Sequence, residues 1–229
     1  MKKIIYILFL LILTSSLYAD KIFFTRGSSD FNEVALSFDD GPGLNTKEIL
    51  KILDKKDVKA TFFLLGTSVS KRPKLVKEIY NKGHELANHT YNHINFYKYK
   101  EEDKKEKIKD ELLQCQDLIK SITGYRTKLV RFPYGYFKDD AIDIAKDSNY
   151  KIINWTFGAD WEKEVSYEDM LSLYLENVKP GTIFLMHDLH KNPIIVKILP
   201  LLIDKIKEKN YNIITVGEMI NKRLSEENL

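Results

Sequence analysis

A single α/β domain built on parallel strands, either a βα barrel or an open sheet, is predicted by three observations. Short apolar runs alternate with amphipathic helical stretches about seven times along the chain. The 229 residues, 44% of them hydrophobic, suffice for one sizeable core and fall short of two, and no internal repeat or low-complexity linker interrupts them. The residues able to do chemistry stand at the ends of successive apolar runs, where folds of this type carry their sites.

The first strand holds Val34, Ala35 and Leu36 and delivers Ser37-Phe38-Asp39-Asp40-Gly41-Pro42 to a Gly-Pro-Gly turn. A helix over 46–56 follows behind a Thr cap, with Ile49, Leu50, Ile52 and Leu53 on one face, and 60–65 reads as a fully buried strand. Pro73 opens the next helix, where its missing N–H costs nothing, and Gly83 closes it. A short strand over 84–88 precedes a long helix over 101–122. Ile108, Leu112, Cys115, Ile119 and Ile122 form that helix's apolar seam, and its lysines and glutamates a solvated face. Strand 128–132, helix 139–147, strand 152–157, helix 167–178, strand 182–186, helix 194–208 and strand 212–216 continue the rhythm. Pro200 is expected to kink the last helix of the series.

The first 19 residues read differently. Lys2 and Lys3 precede the apolar run 4–13, and a polar stretch ends in the small residue Ala19, which is the build of a secretory signal. Export to the periplasm, the cell envelope or the medium is therefore expected. Leu17 is less favourable than Ala three places before the cut, which leaves an uncleaved anchor as the alternative, and membrane contact is expected only there. Without residues 1–19 the chain carries 34 basic side chains against 33 acidic ones, so nothing electrostatic points to nucleic acid. Cys115 is the only cysteine, so no intrachain disulfide can form, and its apolar position predicts a buried structural thiol. A monomer is expected.

Two adjacent carboxylates in one tight turn, Asp39 and Asp40, repel unless a cation or a proton compensates them. One can ligate a metal while the other serves as a base; a plain polar turn is the alternative. In His89-Thr90-Tyr91-Asn92-His93 two imidazoles stand four residues apart, on one face of a helical turn and able to share a metal. With Asp40 they form a two-His, one-carboxylate set of the catalytic zinc type, which a non-haem iron site also uses. Arg131 precedes Phe132-Pro133-Tyr134-Gly135, Asp160-Trp161 follows the strand containing Trp155, and Leu185-Met186-His187 ends an apolar strand. Singly these are a surface ion pair, a loop acid beside a core aromatic and a packed histidine. Five such features on five strand ends meet around one cavity if the sheet curls into a barrel.

In this order the five motifs resemble those of the polysaccharide deacetylases with a NodB homology domain, carbohydrate esterase family 4. Residues 37–42, 89–93, 131–135, 160–161 and 185–187 are similar to its first to fifth motifs, and the resemblance spans about 34–220. It implies a distorted (β/α)7 barrel and a metal-dependent hydrolysis of the N-acetyl group of amino sugars, with release of acetate. It makes Asp40, His89 and His93 the metal ligands, with zinc expected and cobalt or nickel as alternatives. Asp39 would be the general base, held ionised by Arg131, and His187 the general acid, tuned by Asp160. Trp161 and Leu185 would line the pocket for the acetyl methyl, the Tyr134 N–H would help bind the oxyanion, and Pro133 falls in the same substrate-binding motif. Phe157 stands where many members carry an aspartate, a departure that bears on the local loop. His84 and His190 match no catalytic position and are read as structural.

The layout that follows is a signal peptide or anchor at 1–19, a lead-in at 20–33, the deacetylase domain at 34–220 and a tail at 221–229. The expected substrate is an N-acetylated polysaccharide: peptidoglycan N-acetylglucosamine or N-acetylmuramic acid first, then chitin-like or poly-N-acetylglucosamine polymers. A catalytically silent carbohydrate-binding relative and a cyclic amide hydrolase acting on small molecules are the rival readings. The complete set of site residues counts against the first, and the signal segment against the second.

Overall fold

The computed structural model describes residues 21–162, 164–189 and 193–227. The predicted signal segment and His190 lie outside them. One sheet organises the chain: β1 (Phe23–Phe24), β2 (Glu33–Asp39), β3 (Thr61–Leu64), β4 (Glu85–Asn88), β5 (Leu129–Val130), β6 (Lys151–Ile153), β7 (Phe157–Gly158), β8 (Thr182–His187) and β9 (Asn212–Ile214). Its order is β1-β6-β5-β4-β3-β2-β8-β7, with β9 on β2, and every pairing is parallel. The helices are α1 (Thr46–Lys55), α2 (Gly66–Lys71), α3 (Pro73–Asn81), α4 (Lys104–Thr123), α5 (Asp139–Asp147), α6 (Tyr167–Glu176), α7 (Ile194–Glu208) and α8 (Val216–Glu227). Strand β2 is buried along its whole length, because parallel strands flanked by helices have no solvent face.

Alternation along the strands sorts the side chains into two layers. Val34, Leu36, Phe38, Phe62, Leu64, Phe184 and Met186 pack outward with the helices in one apolar cluster. Ala35, Phe63, Ala87, Leu129, Ile153 and Ile183 form the inner cluster together with Phe24 and with Val216, Met219 and Ile220 of α8. The barrel is thus filled by side chains ranging from alanine to phenylalanine and stopped by α8 at the end where the strands begin. There the Val216 N–H donates to Thr61 Oγ1 at 2.9 Å and the Gly217 N–H to Glu85 Oε2 at 2.9 Å. No ladder pairs the edge strands β1 and β7 among the described residues. Instead Thr156, just before β7, donates through Oγ1 to the Thr25 carbonyl, just after β1, at 2.7 Å. This is the distortion expected of the incomplete barrel.

Several elements depart from the sequence expectation. The predicted strand 152–157 is two strands, β6 and β7, because the chain leaves β5 at residue 154 to cross to β8. The sheet begins before residue 34 with β1, which pairs β6, and the segment past 220 continues α8. Helix α2 was unforeseen. Pro200 falls inside α7, as expected, and the helix continues beyond it.

Candidate active site

Continuing the inward alternation past the core places the site. Asp39 follows Ala35 and Ser37 on β2, His89 follows Ala87 on β4, Arg131 follows Leu129 on β5, and Leu185 and His187 follow Ile183 on β8. Register sets Asp39 beside His187. Alternation alone would send Asp40 outward with Phe38. A left-handed φ of 71° at Asp40 breaks it and brings the carboxylate to 3.4 Å from both His89 Nε2 and His93 Nε2. Thr90, His93 and Tyr134 are left-handed too, with φ of 66°, 58° and 59°. Strained non-glycine residues gathered at one mouth are a mark of a functional site.

The two histidines do not share a helical turn, contrary to expectation. They bracket an irregular loop after β4, and its two left-handed residues do the work that helical spacing was expected to do. The ligand atoms of Asp40, His89 and His93 all lie within 4.8 Å of one another. Asp40 Oδ1 is buried without a hydrogen-bond partner. The His89 Nδ1–H donates to the Arg131 carbonyl at 2.6 Å, which turns Nε2 toward Asp40 and leaves it the nitrogen able to ligate a cation. Burial works against charge on His89, but Asp39 and Asp40 outweigh it and raise its pKa; on His93 burial and the charge of His89 prevail and lower it. Burial would likewise raise Asp40, yet His89, His93 and His187 bring its carboxyl well below the usual range. An orphaned carboxylate oxygen, two aimed imidazoles and a local demand for positive charge fit a divalent cation.

Behind this cluster Arg131 is wholly buried. Its Nη1 donates to Asp39 Oδ1 at 2.6 Å and to Ser37 Oγ at 2.9 Å, Nε to the Ile153 carbonyl at 3.2 Å and Nη2 to the Asn154 carbonyl at 3.1 Å. It is a structural cation inside the barrel and not a surface ion pair. Asp160 holds His187 twice, accepting from its backbone N–H at 2.7 Å and from Nδ1 at 2.9 Å. Burial opposes charge on the imidazole, but the hydrogen bond and charge of Asp160 outweigh it and place its pKa at about 9.

These groups face a cavity of about 430 Å3. Asp39, Asp40, His89, His93, Tyr134, Trp161, Leu185 and His187 line it, joined by Phe132 and Trp155, whose lining roles the sequence reading missed. Trp155 is the middle residue of the break between β6 and β7, a strand-end position that could have flagged it. Pro133 is buried and does not line the cavity. Tyr134 is 59% exposed and Trp161 45%, so two aromatic rings stand open at the rim. Phe157 points outward, its ring edge-on to Tyr174 and Phe184, so its replacement of an acid leaves Asp160 in place. Asp188, also unanticipated, is buried against Gly41 and accepts from Thr46 Oγ1 at 2.5 Å; burial raises its pKa to about 7. His84 is buried away from the cavity, lowered to about 4 by burial, and accepts from the Ala60 N–H. Burial raises Cys115 to about 12, as a structural thiol requires.

A parallel α/β half-barrel that gathers a carboxylate, a two-His, one-Asp cluster and an Asp-supported histidine at the carboxyl ends of its strands defines a hydrolase-type fold with a metal-ready site. The profile of the polysaccharide deacetylase family matches residues 26–153, and the chain belongs to that family. It is 36% identical over 191 residues to a peptidoglycan-N-acetylglucosamine deacetylase of Bacillus cereus, an alignment covering 82% of this chain and 68% of the relative. Among solved structures, a peptidoglycan N-acetylglucosamine deacetylase superposes with a TM-score of 0.81 at 33% identity, covering 88% of this chain and 94% of the other. A carbohydrate esterase family 4 pseudoenzyme from Bacillus anthracis superposes with a TM-score of 0.79 at 29% identity, covering 87% and 69%.

Proposed function

We propose that this protein is an exported, metal-dependent N-deacetylase of amino-sugar polymers, with peptidoglycan N-acetylglucosamine as its first substrate class. One observation carries the reading: a metal-ready cluster, a buried carboxylate base and an Asp-supported histidine confront one another across a single cavity. Asp40, His89 and His93 would hold the cation, zinc in this reading, which when bound supplies Lewis acidity toward the acetamide carbonyl and lowers the pKa of a water.

The chain's own residues divide the remaining work. Asp39 takes the proton of the attacking water; Arg131 occupies Oδ1, which leaves Oδ2, 3.7 Å from His89 Nε2, as the receiving oxygen. The Tyr134 N–H adds a fixed dipole for the developing oxyanion. His187, with Nδ1 committed to Asp160, protonates the departing amine from Nε2, a step that a poor leaving group makes obligatory. Trp161 and Leu185 wall the side on which the acetyl methyl would rest. Peptidoglycan is favoured by the names of the relatives, and export by the build of residues 1–19.

The test is acetate release from peptidoglycan and from chitooligosaccharides, with zinc, with chelator and with Asp39→Asn. Chelator-sensitive release that the variant lacks is expected. A folded, zinc-loaded protein that releases no acetate from either polymer would sink the reading and turn attention to small cyclic amides.

A further inference from the structure

We propose that Glu111 is a positioning residue for the metal site: its carboxylate holds the loop between His89 and His93 in the conformation that carries both imidazoles to Asp40. The inference rests on the metal-ligand reading above.

Glu111 lies on the buried seam of α4, one residue before Leu112, and is 0% exposed although the helix is otherwise a charged surface element. A carboxylate in such a place is destabilising unless its oxygens are fully engaged. They are. Oε2 accepts from the Tyr91 N–H at 3.0 Å and the Asn92 N–H at 2.6 Å, and Oε1 accepts from Asn92 Nδ2 at 2.7 Å, with Lys107 Nζ at 3.6 Å one turn back. Two of the three backbone amides between the ligands therefore end on one side chain. The third, Thr90 N–H, is taken by Asn88 Oδ1 at 2.8 Å, and Asn88 is itself tied to α4 by donating to the Leu112 carbonyl at 2.9 Å.

The two ligands depend on this clamp unequally. His89 is fixed without it, since its backbone N–H donates to the Leu64 carbonyl at 3.0 Å and its ring to the Arg131 carbonyl at 2.6 Å. The loop carbonyls of Thr90 and Tyr91 are secured by the Gly66 and Thr67 N–H groups at 2.9 and 3.0 Å. His93 follows Asn92 directly, with a left-handed φ of 58°, and its ring meets Asp40, His89 and Tyr134 among the described residues. Removing Glu111 takes the acceptor from two backbone amides in the segment that aims His93, and that segment is then no longer tied to α4 through them.

The experiment measures zinc affinity by competition with a chromophoric chelator, and the zinc-dependent rise in Tm, on the full chain. Glu111→Leu is expected to bind zinc about 10- to 100-fold more weakly and to lose most of that rise, the range found when groups supporting a ligand are removed. Glu111→Gln keeps an oxygen that accepts both backbone amides and is expected to stay within about threefold of wild type. Asp110→Asn, on the exposed face of the same helix, is expected to change neither readout. Zinc affinity of Glu111→Leu within about twofold of wild type would overturn the inference. Should Glu111→Leu fail to fold, Glu111→Asp decides, because it keeps the charge but draws the carboxylate back by one methylene from both backbone amides: weaker zinc binding supports the clamp, and unchanged binding overturns it. Wild type and His93→Ala serve as the reference pair. Equal zinc binding by those two would mean that the metal-ligand reading has failed, a result distinct from failure of the Glu111 inference alone.

Discussion

Asp160→Asn is the sharpest probe of the acid. The substitution keeps the shape of the side chain while removing the charge that His187 leans on. The rise of the imidazole from 6.5 to about 9 corresponds to roughly 3 kcal/mol in favour of the protonated form, and Asp160 is its chief source. Without that charge, only the smaller pull of Asp39 and Asp40 is left against burial, and the pKa falls back toward the ordinary 6.5. An acid that must be protonated to donate is then about one-tenth populated at pH 7.5, so kcat should drop about tenfold there, the deficit shrinking toward pH 6 and widening toward pH 9. The linkage has the matching sign. A folded pKa above the unfolded one stabilises fully below about 6.5 and is lost as pH rises through about 9, so the variant's stability deficit should be largest at pH 6 and fade by pH 10. The assay is acetate release against pH with metal content measured alongside. An alkaline limb at the same pH in variant and wild type, with metal retained, would refute the role given to the pair.

Two other changes test the frame around the cluster. Arg131→Met deletes a buried cation from Asp39, Ser37 and two carbonyls and leaves a carboxylate uncompensated, so a loss of about 3–5 kcal/mol is expected in urea unfolding, together with loss of turnover. Stability within about 1 kcal/mol of wild type would contradict the burial argument. Gly41→Ala sets a methyl 2.3 Å from both carboxylate oxygens of Asp188, and one of them must move. Overpacking of that kind costs about 1–3 kcal/mol. Because Asp40 is the next residue, zinc affinity should fall as well, whereas Asp188→Ala in the same background should restore much of it.

The sequence made the outer logic readable: seven apolar runs alternating with helices, and charged residues at their ends. What it hid has specific causes. Strand β1 is two residues long, too short to show a period. Helix α8 carries a readable start, because Thr215 and Glu218 form a capping box: the Glu218 N–H donates to Thr215 Oγ1 at 3.3 Å and the Thr215 N–H to Glu218 Oε2 at 2.9 Å. Assigning Val216 to the preceding strand masked it. The four-residue spacing of His89 and His93 suggested a helix, and only left-handed backbone at Thr90 and His93, which side-chain identity does not announce, tells otherwise. From sequence Glu111 reads as surface, because its neighbours are charged. Its place on the seam of Ile108, Leu112 and Cys115 was the available signal.

The similarity to a pseudoenzyme of the same family makes fold likeness a poor guide to activity, so the decision has to come from the site. A silent relative has no reason to keep costly features. Here the costs are kept: a buried arginine against a buried aspartate, an orphaned Asp40 oxygen, four left-handed residues at one mouth and an imidazole held charged by a buried acid. Sugar binding alone would be served by the open rings of Tyr134 and Trp161 and needs none of the buried charge beneath them. Each buried feature instead answers one demand of amide hydrolysis, namely a base, a cation site and a proton for the amine. If the chain binds polymer but does not cleave it, Asp39→Asn, Arg131→Met and Asp160→Asn should all bind as wild type does. If it is the proposed enzyme, all three should lose turnover while binding through the exposed rim persists in whichever variants stay folded.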